Sequence, residues 1–199
     1  MRKGTMTRTT IDDILPDHCA KDVVILCCGN VLFGDDGFGP AVAAKVNAES
    51  EIPDWAVVID AGTAVRELLF DMILSERRPR LIVVVDAVDL RAAVDDLRAD
   101  TGDLATHEPG DVFEIPLDTI PRVQVSEFSL HQAPTSNLLQ ELRQELDVRV
   151  AVIVCQVESI PEEMTEEISA PVTAAIDRAA KLIADRFLRD PVPKEANST

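Results

Sequence analysis

Runs of consecutive apolar residues alternate with amphipathic stretches, and this alternation predicts an α/β protein. Val23–Cys28 and Leu81–Val85 are apolar at every position, as expected of parallel strands that helices cover on both faces. Ala56–Asp60 and Val148–Cys155 are predicted to be two further strands. Asp111–Ile115 alternates, and a proline follows it, which is typical of an edge strand.

The stretches between these strands have apolar positions at helical spacing. One helix is predicted over Pro40–Ala48, a second after Thr63 as N-cap, a third after Ser136 as N-cap, and a C-terminal helix from near Ser169 or Pro171. The predicted fold class is therefore α/β, a single three-layer α/β/α domain. Its mostly parallel, twisted sheet has about five strands, with helices on both faces.

The length of 199 residues suits one globular domain. Polar residues dominate both ends of the chain, so we expect a flexible N-terminal arm over residues 1–20 and a frayed C-terminal tail over residues 190–199. Residues 21–189 then form the single α/β domain. Within it, Leu90–Gly110 is polar and aperiodic, which indicates a long surface loop or a short helix followed by a loop.

The charge balance limits the kinds of partner. The formal net charge is −17, so nucleic acid and anionic membrane surfaces are disfavoured, whereas a basic protein segment is a plausible partner. The four cysteines form no Cys-x-x-Cys motif, and three of them lie in apolar runs, which indicates reduced thiols in a cytosol. No apolar run is long enough to span a membrane. We therefore predict a soluble, cytoplasmic protein.

A glycine-rich turn, Gly29–Gly39, follows the first predicted strand and contains the adjacent acids Asp35 and Asp36. A phosphate loop would have lysine where an acid stands here. A dinucleotide-binding turn would have a third glycine where the chain has Val42. The remaining interpretations are a carboxylate presented to a metal or a positively charged substrate, and an acid that only caps the next helix.

Asp36 follows the first predicted strand and Asp86 follows the third, so both are expected at one edge of a parallel sheet. A cation between them would offset the repulsion of two neighbouring carboxylates. Histidine is a common further ligand for transition metals, and the chain offers His18, His107 and His131. Spacing alone does not choose among these three, and each could instead be a surface or hydrogen-bonded residue.

The turn reads Gly-Asn-Val-Leu-Phe-Gly-Asp-Asp-Gly-Phe-Gly and fits the pattern Gly-Asn-x-Leu-x-x-Asp-Asp/Glu-Gly-x-Gly throughout. In this motif the chain resembles the hydrogenase maturation peptidases, and the resemblance covers roughly residues 23–187. Further motifs agree in order: Asp60-Ala61-Gly62-Thr63, Val85-Asp86-Ala87, Ser129-Leu130-His131-Gln132 and Gln156-Val157-Glu158-Ser159-Ile160. Among the branches of the family, it is most similar to the peptidases of deazaflavin-reducing hydrogenases of methanogenic archaea.

The resemblance implies that Asp36, Asp86 and His131 are both the metal ligands and the catalytic residues. Asp36 departs from the glutamate of many members, which shortens that ligand by one methylene. The turn would be shaped by three more residues: Asn30 through side-chain hydrogen bonds, Asp35 by orienting the loop or accepting a proton, and Gly37.

The resemblance also implies a reaction, namely one endoproteolytic cut that removes a C-terminal extension from the large-subunit precursor of a nickel–iron hydrogenase. Nickel would arrive already bound in that precursor, and no organic cofactor is expected. Two alternatives stay open at this stage. One is a non-enzymatic, nickel-dependent checkpoint or chaperone that binds the precursor, and the other is a nucleotide-binding α/β module.

Overall fold

In the part of the chain that the structure describes, the strands form one five-stranded sheet at the centre of the fold. The computed structural model describes residues 17–91, 107–117 and 133–192. The strands are β1 (Val23–Cys28), β2 (Ala56–Gly62), β3 (Leu81–Val88), β4 (Val112–Glu114) and β5 (Arg149–Gln156). Their order is β2-β1-β3-β5-β4, in which β4 alone is antiparallel to its neighbour. The predicted mostly parallel sheet and the edge position of β4 are confirmed.

Helices cover both faces of this sheet. They are α1 (Phe38–Glu49), α2 (Val65–Leu74), α3 (Ala133–Glu145) and α4 (Ala170–Phe187). Helices α1 and α4 pack together on one face, and α2 and α3 pack together on the other. The three-layer α/β/α architecture is therefore the predicted one.

Strand β1 shows why its sequence is apolar at every position. Val23, Ile25 and Cys27 belong to the core cluster that includes α1 and α4. The intervening side chains, such as Leu26 and Cys28, belong to the cluster that includes α2. Because successive side chains of a strand point to opposite faces, a strand covered on both faces needs apolar residues throughout.

Several predicted boundaries differ from the observed ones. Strand β3 continues through Asp86 to Val88, so this acid lies within the strand rather than after it. Thr63 is not the N-cap of α2, because that helix begins at Val65 and Ala64 occupies the cap position. Helix α3 begins at Ala133, so Ser136 lies inside its first turn rather than at its cap. The prediction of Ser169 as the start of the C-terminal helix is confirmed, since it is the N-cap of α4.

The structure also describes the inner parts of both chain ends. Asp17–Ala20, which falls within the predicted arm, forms a 3-10 turn, and Cys19 is buried in the core. Near the other end, Val192 packs against the core and its carbonyl accepts a hydrogen bond from Arg80. Residues 1–16 and 193–199, most of the predicted 90–110 loop, and residues 118–132 lie outside the described residues. None of the helices in the described part of the chain has the length and apolar character that a membrane span requires.

Candidate active site

The glycine-rich turn folds tightly against the end of β1, and two of its glycines make this possible. Gly29 has a φ of +133°, and a Cβ on it would lie 1.9 Å from the backbone oxygen of Asp36. A Cβ on Gly39 would lie 1.9 Å from the backbone oxygen of Cys28. Only glycine avoids these overlaps, so the two positions bring the turn and the start of α1 into direct contact with the strand end.

Backbone contacts within the turn fix the position of the Asp36 carboxylate. The Asp36 side chain is buried, and its Oδ2 accepts a hydrogen bond from the Asn30 backbone N–H at 2.8 Å. The Asn30 side chain in turn accepts a hydrogen bond from the backbone N–H of Leu32 at 3.1 Å. Asn30 therefore makes the turn-forming side-chain hydrogen bond that the resemblance implied, and it also supplies a donor to the candidate ligand.

Asp86 lies on β3 at the same edge of the sheet. Its side chain is buried, and its Oδ1 accepts a hydrogen bond from the Ala87 backbone N–H at 2.8 Å. The 3-10 turn Gly34–Gly37, which contains Asp36, packs against β3. The structure thus brings Asp36 and Asp86 to the carboxyl edge of neighbouring parallel strands, where open α/β sheets place their sites.

The electrostatics of Cys28 support the same arrangement. Burial is the largest cause that raises the pKa of this thiol well above its ordinary value, and electrostatic interactions with Asp86, Cys27, Asp36 and Asp60 raise it further. Both carboxylates therefore act on one thiol at the end of β1. A neutral, buried thiol near both carboxylates adds no charge of its own to the site.

Asp35 has a different role from its neighbour. Its carboxylate is buried and accepts hydrogen bonds from the backbone N–H groups of Glu158 (2.9 Å), Ser159 (3.3 Å) and Ser169 (2.7 Å). The Ser169 hydroxyl donates to the same carboxylate at 3.0 Å. Asp35 therefore joins the turn to both ends of the loop that runs from β5 to α4, which supports loop orientation rather than proton transfer as its task.

Gly37, the third predicted loop-shaping residue, has an ordinary backbone conformation. It is the N-cap of α1 with a φ of −74° and a ψ of 0°. A Cβ there would lie 3.3 Å from the Cα of Val31. Space, not a left-handed backbone, is thus the constraint at this position.

Gln156 lies at the same end of the sheet, and its sequence context predicted no role for it. Its fully buried amide accepts a hydrogen bond from the Leu90 backbone N–H at 3.1 Å and donates to Asp89 Oδ1 at 3.2 Å and to the Val157 carbonyl at 3.0 Å. Arg91 also donates to the Val157 carbonyl, at 2.8 Å. These bonds tie the end of β3 to the end of β5. A buried glutamine at a strand end was the available signal, since a buried amide needs partners.

The three histidines are not equivalent. His131, the implied third ligand, lies outside the described residues. His18 Nε2 is 3.9 Å from Asp71 Oδ2 on α2. His107 stacks on Phe113, with 3.6 Å between ring centroids, and its Nδ1 is 3.7 Å from Asp111 Oδ2. His107 therefore has partners elsewhere in the fold, whereas the buried Nε2 of His18 makes no hydrogen bond among the described residues.

The described residues supply an incomplete donor set for a metal. Over residues 17–91, 107–117 and 133–192, no three His, Cys, Asp or Glu side chains are grouped closely enough to hold an ion. Asp36 and Asp86 nevertheless offer carboxylate oxygens, which are suitable donors for a divalent metal. A third donor would have to come from another part of the chain or from the substrate.

The described cysteines do not have the properties of a catalytic nucleophile. All four are buried. Burial is the main cause that raises the pKa of Cys155, to about 12, and the charge of Asp35 adds to it. Burial followed by the charge of Asp60 raises the pKa of Cys27 as well. A nucleophilic cysteine needs the opposite shift, because the thiolate is the reactive form.

Fold and site together define an α/β/α protein whose candidate site is built from buried carboxylates at the carboxyl ends of parallel strands. A family model described as hydrogenase maturation protease matches residues 40–186 of this chain. The chain belongs to the hydrogenase maturation protease family. It is accordingly an endopeptidase, a hydrolase acting on a peptide bond, that works in hydrogenase maturation. This membership disfavours both non-enzymatic alternatives.

Individual relatives agree with this placement. The chain is 35% identical over 165 residues to a provisionally named hydrogenase maturation protease of Methanocaldococcus jannaschii, covering 82% of this chain and 94% of the relative. It is 32% identical over 170 residues to the coenzyme F420 hydrogenase subunit delta of Methanothermobacter thermautotrophicus, covering 83% and 94%. The solved structure of the hydrogenase maturating endopeptidase HybD from Escherichia coli shares the fold, with a TM-score of 0.59 and 22% identity over 82% of this chain and 90% of that one.

Proposed function

We propose that this chain removes a C-terminal extension from the nickel-loaded large-subunit precursor of a nickel–iron hydrogenase. The observation that carries the proposal is the placement of two buried carboxylates, Asp36 and Asp86, at one edge of the sheet. Membership of the hydrogenase maturation protease family supports a hydrogenase precursor as the substrate. The similarity to an F420 hydrogenase subunit from a methanogen supports the deazaflavin-reducing branch as the source of that precursor.

In this proposal nickel is part of the substrate. Asp36 and Asp86 present carboxylate oxygens to it, and His131 supplies an imidazole nitrogen. A metal bound in this way polarises the scissile carbonyl or activates a water molecule. The residues around the carboxylates keep them in place: the Asn30 N–H holds the Asp36 side chain, and the Ala87 N–H holds the Asp86 side chain.

The test compares the intact mass of the precursor before and after addition of this protein, with a nickel-free precursor in parallel. We expect one C-terminal peptide to be lost from the nickel-loaded sample alone. Stable binding without any loss of mass would instead favour a checkpoint that does not cut.

Variants of the candidate ligands then assign the roles. We expect processing to fall by at least about a hundredfold in each of the variants Asp36→Ala, Asp86→Ala and His131→Ala. Even the substitution of a residue that only hydrogen-bonds to a metal ligand lowers activity by up to about a hundredfold, and loss of the ligand itself should cost no less. Asp54→Ala is the matched control, since this exposed aspartate precedes the first residue of β2 and so lies at the amino ends of the parallel strands, away from the candidate site. Normal processing by any of the three variants removes that residue from the site.

A further inference from the structure

The loop from β5 to α4, residues 157–169, is held firmly beside the glycine-rich turn. Asp35 accepts hydrogen bonds from Glu158 near one end of the loop and from Ser169 at the other. Ile160 and Ile168 are partly buried and pack against the core. The loop is thus anchored at both ends, so the residues between the anchors have defined positions.

Within this loop, Thr165 pairs with the glycine-rich turn. It forms a parallel bridge with Phe33. Its backbone N–H donates to the Leu32 carbonyl at 2.8 Å, and its carbonyl accepts from the Gly34 N–H at 2.8 Å. Leu32 and Met164 immediately precede the two bridge partners, and the hydrogen bond from the Thr165 N–H to the Leu32 carbonyl holds their two chain segments together.

These two residues and their neighbour form an exposed apolar surface, which we call the apolar lip. It consists of Val31, Leu32 and Met164, with exposed fractions of 51%, 40% and 74%. The turn and the loop that carry these side chains are joined by backbone hydrogen bonds, and neighbouring exposed apolar side chains of this kind are candidates for an interaction site. Val31 follows Asn30, whose backbone N–H binds the Asp36 carboxylate, so the lip borders the candidate site.

Acidic residues accompany Met164 on the β5–α4 loop. Four exposed glutamates flank Met164 in the sequence, namely Glu162, Glu163, Glu166 and Glu167. The sequence has no lysine or arginine between Arg149 and Arg178. The lip is therefore an apolar surface with a negatively charged rim.

We propose that the apolar lip and its acidic rim bind the part of the precursor next to the scissile bond, and that this part is an extended segment with an apolar side chain beside basic residues. The inference rests on the proposed function and deepens it. The lip adjoins the turn that contains Asp36. The segment that binds to the lip is therefore the part of the precursor that reaches the candidate active site. The charge of the rim selects basic neighbours in that segment, because complementary charges speed encounter and fix register.

The first test replaces the apolar contacts. The double variant Leu32→Ser/Met164→Ser is assayed on the nickel-loaded large-subunit precursor from the same organism, with Leu74→Ser as the control. Leu74 is 81% exposed but lies on α2, away from the turn. We expect the double variant to raise KM about tenfold and to leave kcat within about twofold, since lost uniform binding acts on KM alone. An unchanged KM, or an equal rise in the control, overturns the proposal.

The second test concerns the rim. Glu162→Gln/Glu163→Gln should weaken the dependence of KM on salt, because added ions screen exposed charges beyond about 10 Å at 0.1 M. Salt dependence equal to that of the wild type overturns the role of the rim.

A measurement of binding to the same precursor tests the apolar lip independently of the proposed cleavage reaction. If the wild-type protein cuts nothing, the proposed function fails, yet about tenfold weaker binding by the Leu32→Ser/Met164→Ser variant still supports the lip. Equal binding by the variant and the wild-type protein overturns the lip even if cleavage is observed.

Discussion

Two adjacent aspartates in the glycine-rich turn illustrate how neighbouring residues acquire different tasks. Asp35 points to the β5–α4 loop, where three backbone N–H groups and one hydroxyl donate to it. Asp36 lies against β3, near the end of β1, and receives the Asn30 N–H. A carboxylate that binds several donors inside a protein stabilises the fold, whereas a carboxylate at a sheet edge remains suited to a ligand. The pair therefore separates stability from activity.

This separation predicts that Asp35→Asn lowers stability. An amide offers one acceptor oxygen where the carboxylate offers two, so some of the buried donors lose their partner. We expect the free energy of unfolding to fall by about 3 kcal/mol, as measured by urea denaturation. Ser169→Ala, which removes one of the donors, should cost about 1 kcal/mol.

The matched substitution at the neighbouring position is the control for this prediction. Asp36→Asn keeps an acceptor oxygen for the Asn30 N–H and should change stability by less than about 1 kcal/mol. If both asparagine variants unfold at the same urea concentration, Asp35 is not the residue that fastens the loop.

At the scale of elements, the apolar runs predicted where strands exist but not where they end. Strand β3 continues past its apolar run through Asp86 because its pairing with β5 extends to the register pair Val88 and Gln156. Strand β2 likewise continues to Gly62. The end of a strand depends on hydrogen bonding to its neighbour, which a single run of residues does not reveal. The start of α2 was also mispredicted: Thr63 has a side chain that can cap a helix, but Ala64 is the N-cap of α2.

The contact between β1 and α1 gives a prediction at this scale. Gly39→Ala places a methyl group on the Cys28 backbone, where a Cβ would meet the carbonyl oxygen at 1.9 Å and the nitrogen at 2.8 Å. Backbone atoms cannot move aside as a side chain can, so the helix must shift. We expect a loss of about 3 kcal/mol or more in the free energy of unfolding.

Gly37→Ala is the control, because the nearest atom to its Cβ is 3.3 Å away and its φ suits alanine. It should cost about 1 kcal/mol, the usual difference between glycine and alanine at an N-cap. Equal losses in the two variants would mean that the close approach at Gly39 relaxes at little cost.

At the scale of the whole molecule, the site depends on parts of the chain that are far apart in sequence. The residues Asp35 and Ser169 are separated by 134 positions, and Leu90 and Gln156 by 66. The sequence predicted that Asp36 and Asp86 meet, because parallel strands align their carboxyl ends. It did not predict the bonds of Asp35 or Gln156, because side-chain partners follow from packing between loops rather than from local pattern.

The four buried cysteines make the stability of the whole molecule sensitive to alkaline pH. Burial, reinforced by Asp35, raises the pKa of Cys155 from 9.0 to about 12, and the thiols of Cys27 and Cys28 shift in the same direction. Above pH 9 the unfolded chain loses these protons while the folded chain keeps them, so the folded state becomes less stable as pH rises. Each thiol should contribute a slope of about 1.4 kcal/mol per pH unit.

Urea denaturation between pH 8 and 11 measures the total slope, and Cys155→Ala should reduce it by one such increment. An identical slope in that variant would show that the Cys155 thiol ionises in the folded protein as readily as in the unfolded chain.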